Sequence, residues 1–406
     1  MLIYIKLAWR NIWRKRRRTL ITVSAIVFAV IAAIMMQSVN RGSYEMIIDR
    51  TVSFSTGYIQ LQDYRFDDES SLDNAFYYDE EIRDQVLGAD ERITHLIPRI
   101  ETFMLAANGG YTRGSVVLGV DLEKEHRFNN FRDYLDDGRF FEPGEQAVVI
   151  GSGLSDRLQL AAGDTLILIG QGRFGMSASG LFEISGVIRH PIRDLDNMAV
   201  YMPLESAQWL LSAEDHLTAL LISPERERQT GSVAASLKSE FEDGELVVLT
   251  WPELMPELLE LMELDLAGPR FITLVLYIVI GFGFLGTVLT MTMERLREFG
   301  VLLSIGMKRG RLCAVVFLET LFISIIGVLA GMAAAWGILW LINPIRLSGD
   351  AAVALLDMGF EPLLPMSFAA DQFYMQGFYV FLIAMVVFLF PLVKISRLNI
   401  LDAARS

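Results

Sequence analysis

Long apolar runs alternate with polar segments along the chain, and this pattern predicts four membrane spans. A hydrocarbon core about 30 Å thick is crossed by roughly 20 apolar residues in a helix. The runs 19–38, 271–293, 312–342 and 373–395 reach that length. The first is too long for the apolar core of a secretory signal, and no small-residue cleavage site follows it. We therefore expect four transmembrane helices, the first of which is retained as an anchor.

Basic residues flank these runs on one side only. Residues 1–18 contain Lys and Arg but no acid, and basic residues outnumber acids in the connection 294–311 and the tail 396–406. Segments 39–270 and 343–372 are rich in Asp and Glu instead. Cytoplasmic loops carry an excess of Lys and Arg. We therefore expect both termini in the cytoplasm, the acidic segments in the periplasm, and the chain in a bacterial inner membrane.

The segment before the first span carries apolar residues at helical spacing. Leu2, Ile5, Trp9, Ile12 and Trp13 alternate with the basic residues. This predicts an amphipathic helix on the inner leaflet, with arginines toward anionic headgroups and tryptophans at the interface. The alternative is a basic flank without helical order.

Segment 39–270 reads as a folded domain of strands and helices. Its short runs, rich in Val, Ile and Thr and separated by Gly, Asp and Pro, are typical of strands. Nine runs fit: 58–62, 93–101, 115–121, 147–151, 164–170, 182–188, 199–203, 217–223 and 246–250. Helices are expected near 79–88, 152–160, 204–212 and 225–241. The expected fold class is an α-helical membrane protein with four transmembrane helices plus a large α+β periplasmic domain inserted between helices 1 and 2.

Two stretches connect this domain to the spans. Residues 39–54 continue the first span without a strong break. Residues 251–268 place Leu254, Leu258 and Leu261 on one helical face, with acids on the other. We expect both stretches to be stalk helices that carry spans one and two outward. The alternative for the second stretch is an amphipathic surface helix packed on the domain.

Composition, charge and missing motifs argue against nucleic-acid binding, a metal site and a phosphate-binding loop in this chain. The 406 residues are 52% hydrophobic with a formal net charge of −14, and nucleic acid requires a basic surface instead. One cysteine and four scattered histidines give no metal-ligand spacing, so no metal site is expected. A phosphate-binding GxxxxGK[ST] motif does not occur. We expect no cofactor in this chain, with ATP and Mg²⁺ bound by a partner polypeptide.

Two glycine patterns lie inside the apolar runs. Gly281, Gly283 and Gly286 match GxGxxG, but no strand precedes them, so dinucleotide binding is not expected. Gly327 and Gly331 have the small-xxx-small spacing. Small residues at these spacings let membrane helices approach closely, so we expect all five to be packing positions. GMSASG at 175–180 lacks the spacing of a serine nucleophile motif and has no histidine and acid placed with it. No catalytic residues are therefore expected.

Glu319 lies about two turns inside the third apolar run. An ionisable residue at membrane depth is expected to have a functional or partner-pairing role. The alternative is that Glu319 pairs with a basic flank in a wide, wet cytoplasmic half.

The connection between spans two and three carries the most informative pattern. Charged residues and glycines alternate there with the apolar residues Leu302, Leu303 and Ile305, which we expect to form an exposed patch. The candidate site residues are Glu294, Arg295, Arg297, Glu298, Gly300 and Gly306. A short amphipathic helix of this kind can lay its apolar face in a groove of a partner. An ordinary interfacial connector would show a similar pattern, so both interpretations stay open on the residues alone.

Four segments of the chain resemble the FtsX-like permease family, which includes lipoprotein-releasing and macrolide-efflux ABC permeases. LAWRNIWRKRRRTLIT (7–22) is similar to the entry into span one, and ERLREFGVLLSIGM (294–307) to the coupling segment. LETLFISIIGVLAG (318–331) is similar to the third span. RLNILDAAR (397–405) resembles the tail, although Ile400 replaces the usual proline and Ala404 the usual leucine.

The resemblance implies a function for this connection. It implies that Glu294, Arg295, Glu298, Gly300 and Gly306 belong to a helix that docks on a separate cytoplasmic ABC ATPase. It also implies a second permease copy or a paralogue, and a mechanism in which ATPase closure moves spans one and two and reshapes the periplasmic domain (mechanotransmission). A periplasmic or outer-membrane partner is compatible with the layout.

The segment STGYIQLQ (55–62) is similar to a strand of lipoprotein-release permeases. We therefore expect export or release of lipoproteins or other amphiphilic substrates. One alternative is a membrane regulator that relays ATPase state to a periplasmic enzyme without transport. A membrane-tethered periplasmic enzyme is the third hypothesis, against which the missing catalytic constellation counts.

Overall fold

The computed structural model of the chain describes residues 2–14, 16–68, 71–242, 244–350, 352 and 363–396. Most of the tail 396–406, and part of the loop 343–372, therefore lie outside the described residues. The helices are α1 (Leu2–Arg14), α2 (Arg16–Phe54), α3 (Tyr64–Asp68), α4 (Glu80–Ala89), α5 (Leu122–Asn129), α6 (Ser152–Leu158), α7 (Arg193–Met198), α8 (Leu204–Leu210), α9 (Thr230–Glu240), α10 (Trp251–Leu254), α11 (Pro256–Asp265), α12 (Ala267–Glu294), α13 (Leu296–Ser304), α14 (Arg309–Ile342) and α15 (Ala370–Ser396).

The strands are shorter and lie mainly between α2 and α10. They are β1 (Ile59–Asp63), β2 (Phe76–Tyr77), β3 (Ile93–Asn108), β4 (Tyr111–Val120), β5 (Leu135–Gly138), β6 (Ala147–Gly151), β7 (Thr165–Gln171), β8 (Ser177–Ile188), β9 (Ala199–Pro203), β10 (His216–Leu217), β11 (Ala219–Pro224), β12 (Leu246–Thr250), β13 (Ile345–Arg346) and β14 (Leu363–Leu364).

The chain divides into two compact units. The membrane unit comprises the described parts of Met1–Glu45, Leu261–Leu347 and Leu363–Ser406. The soluble unit comprises the described parts of Met46–Glu260 and Ser348–Pro362. Helix α2 contributes residues to both units, because it runs from Arg16 to Phe54 without interruption.

Four helical segments are long and apolar enough to cross a membrane. They are Thr19–Phe54, Pro256–Glu294, Arg309–Ile342 and Ala370–Ile395. Each of these helical segments contains one of the four apolar runs found in the sequence. Their shared core is apolar and includes Ile26, Val30, Ile34, Phe284, Val288, Ile323, Val328, Ala335, Leu339, Val380 and Ala384.

Helices α2 and α14 approach each other at two glycines. A Cβ atom on Gly327 would lie 2.7 Å from Cγ2 of Ile26, and one on Gly331 would lie 2.7 Å from Cβ of Val30. Carbon atoms in contact prefer about 3.5–4.0 Å, so a larger residue would push the helices apart.

The three glycines of α12 have different surroundings. A Cβ atom on Gly281 would make an ordinary contact of 3.6 Å with Ile383 of α15. Gly283 and Gly286 have no described atom within 4 Å of that position. Among the three, and as far as the described residues extend, Gly281 alone lies against a neighbouring helix.

The soluble unit is built on one large sheet. Its strand order is β12-β1-β11-β3-β4-β9-β6-β8-β5, and β7 pairs with both β3 and β8. The pairs β4–β9 and β6–β8 are parallel and the other described pairs of this sheet are antiparallel. Because β7 has two partners, strands β3, β4, β9, β6, β8 and β7 close into a ring.

Two main cores stabilise the soluble unit. Alternate residues of the ring strands share the first, which includes Ile100, Met104, Val117, Val148, Ile150, Leu166, Leu168, Phe182, Ile184, Val200 and Met202. The second core lies between the remaining strands and helices α4 and α9, and includes Ile59, Leu61, Val86, Leu220, Ile222, Val233, Leu237 and Val248. Period-two alternation of apolar residues therefore places one face of each strand in a core.

The strands and helices predicted from the sequence agree with the observed elements, with two exceptions. All nine expected strands overlap observed strands, but β3 continues to Asn108 and pairs with β4 through a Gly109–Gly110 turn. Gly109 has φ +52°, a conformation that glycine adopts readily. The expected helix over 251–268 is interrupted at Met255, which has the non-helical angles φ −127° and ψ 56°, whereas Leu266 between α11 and α12 keeps helical angles of φ −64° and ψ −17°.

Candidate functional site

Helix α13 is the short helix expected between spans two and three, and one of its faces is packed on the membrane unit. Phe299 and Leu303 are buried one turn apart. They share a cluster with Leu312 and Val316 of α14 and with Phe388 of α15. This cluster fixes the orientation of α13 on the two spans.

The opposite face of α13 exposes an apolar patch beside a basic residue. Val301, Leu302 and Ile305 are exposed, and Ile305 retains 80% of its accessible surface. Arg297 is exposed on the same row, because residues four apart lie on one side of a helix. Leu303, which the sequence pattern placed in this patch, is buried instead because it follows Phe299 by one turn.

Gly306 ends helix α13. It has φ +97°, and its N–H donates to the Leu303 carbonyl at 3.1 Å. The Met307 N–H donates to the Leu302 carbonyl at 3.1 Å. These two bonds form a Schellman motif, in which a glycine in the left-handed region closes the last helical turn. The residue is therefore required locally for the shape of this connection.

A buried ion pair attaches the start of α13 to α14. The Arg295 guanidinium donates to both carboxylate oxygens of Glu319. The side chains of Arg295 and Glu319 are only 7% and 2% exposed. Arg295 also lies over the Phe299 ring, with 5.4 Å to its centroid. Removing one member of such a pair leaves a buried charge, so the geometry holds the two helices together.

Helix α1 contacts the same group of charges. The Asn11 amide donates to Glu319 Oε1 at 2.7 Å, and Arg14 donates to Glu298 Oε2 at 2.8 Å. Arg295 Nε lies 3.4 Å from the same Glu298 oxygen. We call Asn11, Arg14, Arg295, Glu298 and Glu319 the coupling cluster, since it joins α1, α13 and α14.

The remaining residues proposed from the sequence lie around this cluster. Glu294 is the exposed last residue of α12, and Gly300 is buried within α13. A cavity of about 20 Å³ adjoins Arg295 and Glu319 and is also lined by Thr22, Thr292 and Thr320, among others. Its volume corresponds to about one water molecule.

A second polar cluster in the soluble unit caps the end of α2. The Arg99 guanidinium donates to Glu125 through two bonds of 2.6 and 3.0 Å. It also donates to the carbonyl oxygens of Phe54 and Ser55, at 3.2 and 2.6 Å. A cation at a helix C-terminus satisfies free carbonyls and opposes the helix dipole. Strand β3 therefore holds the last turn of α2.

His190 packs on this same helix end. Its ring lies 4.8 Å from the Phe54 ring and stacks on Tyr201. Nδ1 lies 3.0 Å from the Ile192 amide nitrogen and 3.2 Å from the Ile192 carbonyl oxygen. Burial away from water, and to a smaller extent the nearby Arg99 charge, lowers the pKa of His190 to about 4. The residue is therefore neutral at physiological pH.

A cleft opens in the membrane unit between α2, α12 and α15. Its volume is about 600 Å³ and its lining mixes apolar and polar side chains: Gln37, Asn40, Arg41, Tyr44, Met262, Leu266, Arg270, Thr273, Leu274, Tyr277, Asp371, Met375, Gln376 and Tyr379, among others. Arg41 donates to Asp371 at 2.6 Å, and the Tyr277 hydroxyl donates to Gln376. Such a mixture suits a molecule with one polar and one apolar end.

Some of these residues were not identified from the sequence as members of a site. Asn11 and Glu319 are 308 positions apart, and Arg99 and Glu125 are 26 apart. Arg99 did carry a signal, because it is a charged residue within the strand-like run 93–101. Among the described residues no group of three His, Cys, Asp or Glu side chains is arranged to hold a metal ion.

Comparison with known families identifies the class. The chain matches the MacB-like periplasmic core domain over residues 19–240 and the FtsX-like permease C-terminal domain over residues 270–400. It belongs to the MacB- and FtsX-like family of ABC transporter permeases. It is thus a transporter-type permease subunit, with four membrane helices and a periplasmic α+β domain after the first.

Individual relatives are distant. The macrolide export ATP-binding/permease protein MacB of Hyphomonas neptunium is 23% identical over 352 residues. That alignment covers 83% of this chain and 53% of the relative, so the chain spans about half the length of this relative.

Two solved structures are also similar. One is the extracellular domain of the noncanonic ABC-type transporter YknZ from Gram-positive bacteria, with 16% identity and TM-score 0.33, covering 47% of this chain and 99% of that one. The other is the periplasmic region of MacB from Actinobacillus actinomycetemcomitans, with 12% identity and TM-score 0.35, covering 53% and 98%.

Proposed function

We propose that this permease couples ATP hydrolysis on a cytoplasmic ABC ATPase to a conformational change of its periplasmic domain. The buried Arg295–Glu319 pair is the observation that carries the proposal. It anchors a short helix to a membrane span, while Val301, Leu302 and Ile305 of that helix stay exposed. An anchored helix with a free apolar face can receive a partner and pass its movement to the span.

Replacing Ile305 by Asp tests this docking surface. The full-length variant is expected to lose co-purification with the ABC ATPase and the ATPase activity measured in the complex. Ile169→Asp is the matched control, since Ile169 is also an exposed isoleucine but lies on β7 of the periplasmic domain. Equal recovery of the ATPase with both variants would contradict the proposed docking site.

The proposed mechanism is mechanotransmission through helix α2. This helix extends from Arg16 to Phe54 and its last carbonyls are held by Arg99. A continuous hydrogen-bonded helix transmits displacement along its axis, so movement at its cytoplasmic end would reach the domain that Arg99 belongs to. The proposal requires both termini in the cytoplasm. Thiol labelling in intact cells tests that requirement, because a cysteine at 305 should be protected and one at 169 should react.

The proposed substrate is a lipoprotein or another amphiphilic molecule. The cleft between α2, α12 and α15 supports this, because polar side chains such as Arg270 and Gln37 share it with Leu274 and Met375. A photoreactive amino acid at position 274 would crosslink a bound acylated substrate. Crosslinking to ordinary phospholipid alone, with no dependence on the substrate, would count against this choice.

We also propose a second permease copy or a paralogue in the complex. Helix α12 supports this, because Phe271, Leu274, Ile278 and Phe282 are exposed and Gly283 faces open space within this chain. Disulfide crosslinking of cysteines placed along α12 would detect a second permease. Absence of such crosslinks along the whole helix would argue against this interface.

A second candidate function is a membrane regulator that relays ATPase state to a periplasmic or outer-membrane partner. The observation that favours it is an exposed apolar stripe across three ring strands, formed by Phe103, Leu105, Ile169 and Leu181. Leu105 pairs with Ile169, and Ile167 pairs with Leu181, so these strands are adjacent. Crosslinking from position 181 to a cell-wall enzyme, with no defect in substrate release on deletion, would favour this function.

A further inference from the structure

Helix α1 has two exposed rows of different chemistry. Apolar side chains form one row, namely Ile5, Trp9 and Trp13, and basic side chains form the next, namely Lys6, Arg10 and Arg14. Both rows follow the spacing of four residues that keeps positions on one side of a helix. The opposite side, with Ala8 and Ile12, is buried.

This combination suits the surface of a bilayer better than water or a protein core. Tryptophan rings prefer the headgroup region, and basic side chains are attracted to anionic lipids. Arg16 and Arg17 add two further exposed cations where α2 begins, and no acid occurs among residues 1–18. The basic row therefore complements anionic headgroups, and the apolar row complements the boundary between the headgroups and the acyl chains.

The basic row ends at the coupling cluster. Arg14 is the last residue of the row and of α1, and its guanidinium bonds to Glu298 of α13. The basic row therefore connects the exposed surface of α1 to the helix proposed to receive the ATPase.

We propose that α1 senses anionic phospholipid headgroups, whose phosphates compete with Glu298 for Arg14 and so loosen α13. This inference rests on the proposed function only in assigning coupling to α13. The Arg14 and Glu298 side chains are 55% and 39% exposed, so their ion pair is weak and water-accessible. A phosphate can accept two parallel bonds from the same guanidinium.

The rest of the cluster stays in place when Arg14 changes partner. Asn11 continues to hold Glu319, which is almost fully buried with Arg295. Glu298 retains its interaction with Arg295. Anionic lipid thereby increases the mobility of α13, while α1 stays attached through Asn11 and the buried Arg295–Glu319 ion pair stays intact.

The test measures the mobility of α13 directly. Ser304→Cys, in the full-length chain with Cys313→Ser, places a spin label on the exposed side of α13. In nanodiscs, adding phosphatidylglycerol to neutral lipid is expected to raise label mobility about twofold to fivefold, the range that one exposed ion pair allows. Inorganic phosphate added to neutral nanodiscs is expected to change nothing, which separates lipid headgroups from free anion.

Two variants identify the residue responsible. Arg14→Gln is expected to show high mobility in both lipids, because the link to Glu298 is absent from the start. Lys6→Gln is the matched control, since it removes a cation from the same row two turns away and should leave mobility in neutral lipid unchanged. Equal mobility of the wild-type chain in both lipids, or a full lipid response in Arg14→Gln, would overturn the proposal. No ATPase is present in this measurement, so its outcome is independent of the docking experiment.

Discussion

Arg99 and Glu125 form a bidentate ion pair inside the soluble unit, and the same guanidinium caps helix α2. Asn129 donates to Glu125 Oε2 at 2.9 Å and lies 3.4 Å from the Ser53 carbonyl. The hydrogen bonds donated by Arg99 and Asn129 are thus directed at Glu125 and at the end of α2, and Arg99 also lies 3.6 Å from Glu101 Oε1. The end of the first membrane helix is held by charge as well as by packing.

Arg99→Met is expected to destabilise the protein strongly. The substitution keeps an unbranched apolar stem but leaves the Glu125 carboxylate buried without its cation, which costs about 3–5 kcal/mol. Thermal or denaturant unfolding of the full-length protein in detergent measures the loss. Arg189→Met is the control, because the pair of Arg189 with Asp136 is exposed and changes stability by less than about 1 kcal/mol. Similar losses in the two variants would contradict a special role for the buried pair.

Glu319→Gln is expected to weaken coupling more than it weakens ATPase docking. The amide can still bond to Asn11 or Arg295 but no longer neutralises the buried guanidinium, a loss of about 1.5–3 kcal/mol for a hydrogen bond to a charged group. The measurement is the ratio of substrate-stimulated to basal ATPase activity in the complex. Thr287→Val is a control on α12, because the Thr287 hydroxyl bonds only within its own helix among the described contacts. A variant with normal stimulation would show that the ion pair is dispensable.

The stability of the soluble unit is expected to fall with pH between 6.5 and 4 because of His190. The folded-state pKa of about 4 lies below the ordinary value of 6.5. In that window the unfolded chain binds a proton that the folded chain does not, so acid favours unfolding. The full difference corresponds to at most about 3 kcal/mol. Above pH 6.5 this residue contributes no pH dependence.

His190→Asn provides the comparison for this effect. The amide oxygen can accept the Ile192 N–H bond but does not titrate. Subtracting the variant's unfolding curve from the wild-type curve isolates His190, since both share Asp196 and Arg99 beside the ring. The Glu145 carboxylate has its pKa lowered to about 2, mainly by Arg139, so its contribution is lost only below about pH 4.5. A difference curve without slope between pH 6.5 and 4 would refute the assignment.

Gly331→Ala is expected to lower the thermal stability of the protein, whereas Gly283→Ala is not. At Gly331 the new methyl group would overlap Val30, and overpacking of this kind costs about 1–3 kcal/mol. At Gly283 the methyl group meets no described atom, so the purified chain should unfold at the same or a slightly higher temperature, because alanine favours a helix more than glycine does. Thermal unfolding in detergent distinguishes them. A large loss at Gly283 would indicate a helix packed there that this chain alone does not supply.

Much of the architecture could be predicted from the sequence, because its signals are local. The four spans follow from the length of apolar runs, and the strands of the soluble unit follow from short runs of Val, Ile and Thr. The interruption at Met255 was missed although a local signal was present. Met255 directly precedes Pro256, and the residue before a proline disfavours the helical conformation.

The candidate site was predicted only in part, for a related reason. Residues 294–306 stand out by their spacing, but the burial of Leu303 and the exposure of Leu302 depend on where α15 lies. Asn11 and Arg14 join Glu319 and Glu298 across almost the whole chain, and no single-sequence pattern reports such pairs. Gly283 and Gly331 have similar sequence contexts, yet of the two only Gly331 lies against a helix in the described part of the chain.

The six strands that close into a ring have a consequence for how the periplasmic domain can respond to α2. A closed ring has no free edge, so it cannot shear or splay without breaking a complete row of backbone hydrogen bonds. Strand β3 belongs to this stiff body and also carries Arg99. The ring should therefore move as one rigid body, and strands β11, β1 and β12, which extend from β3 to the open edge of the sheet, should be the part that deforms.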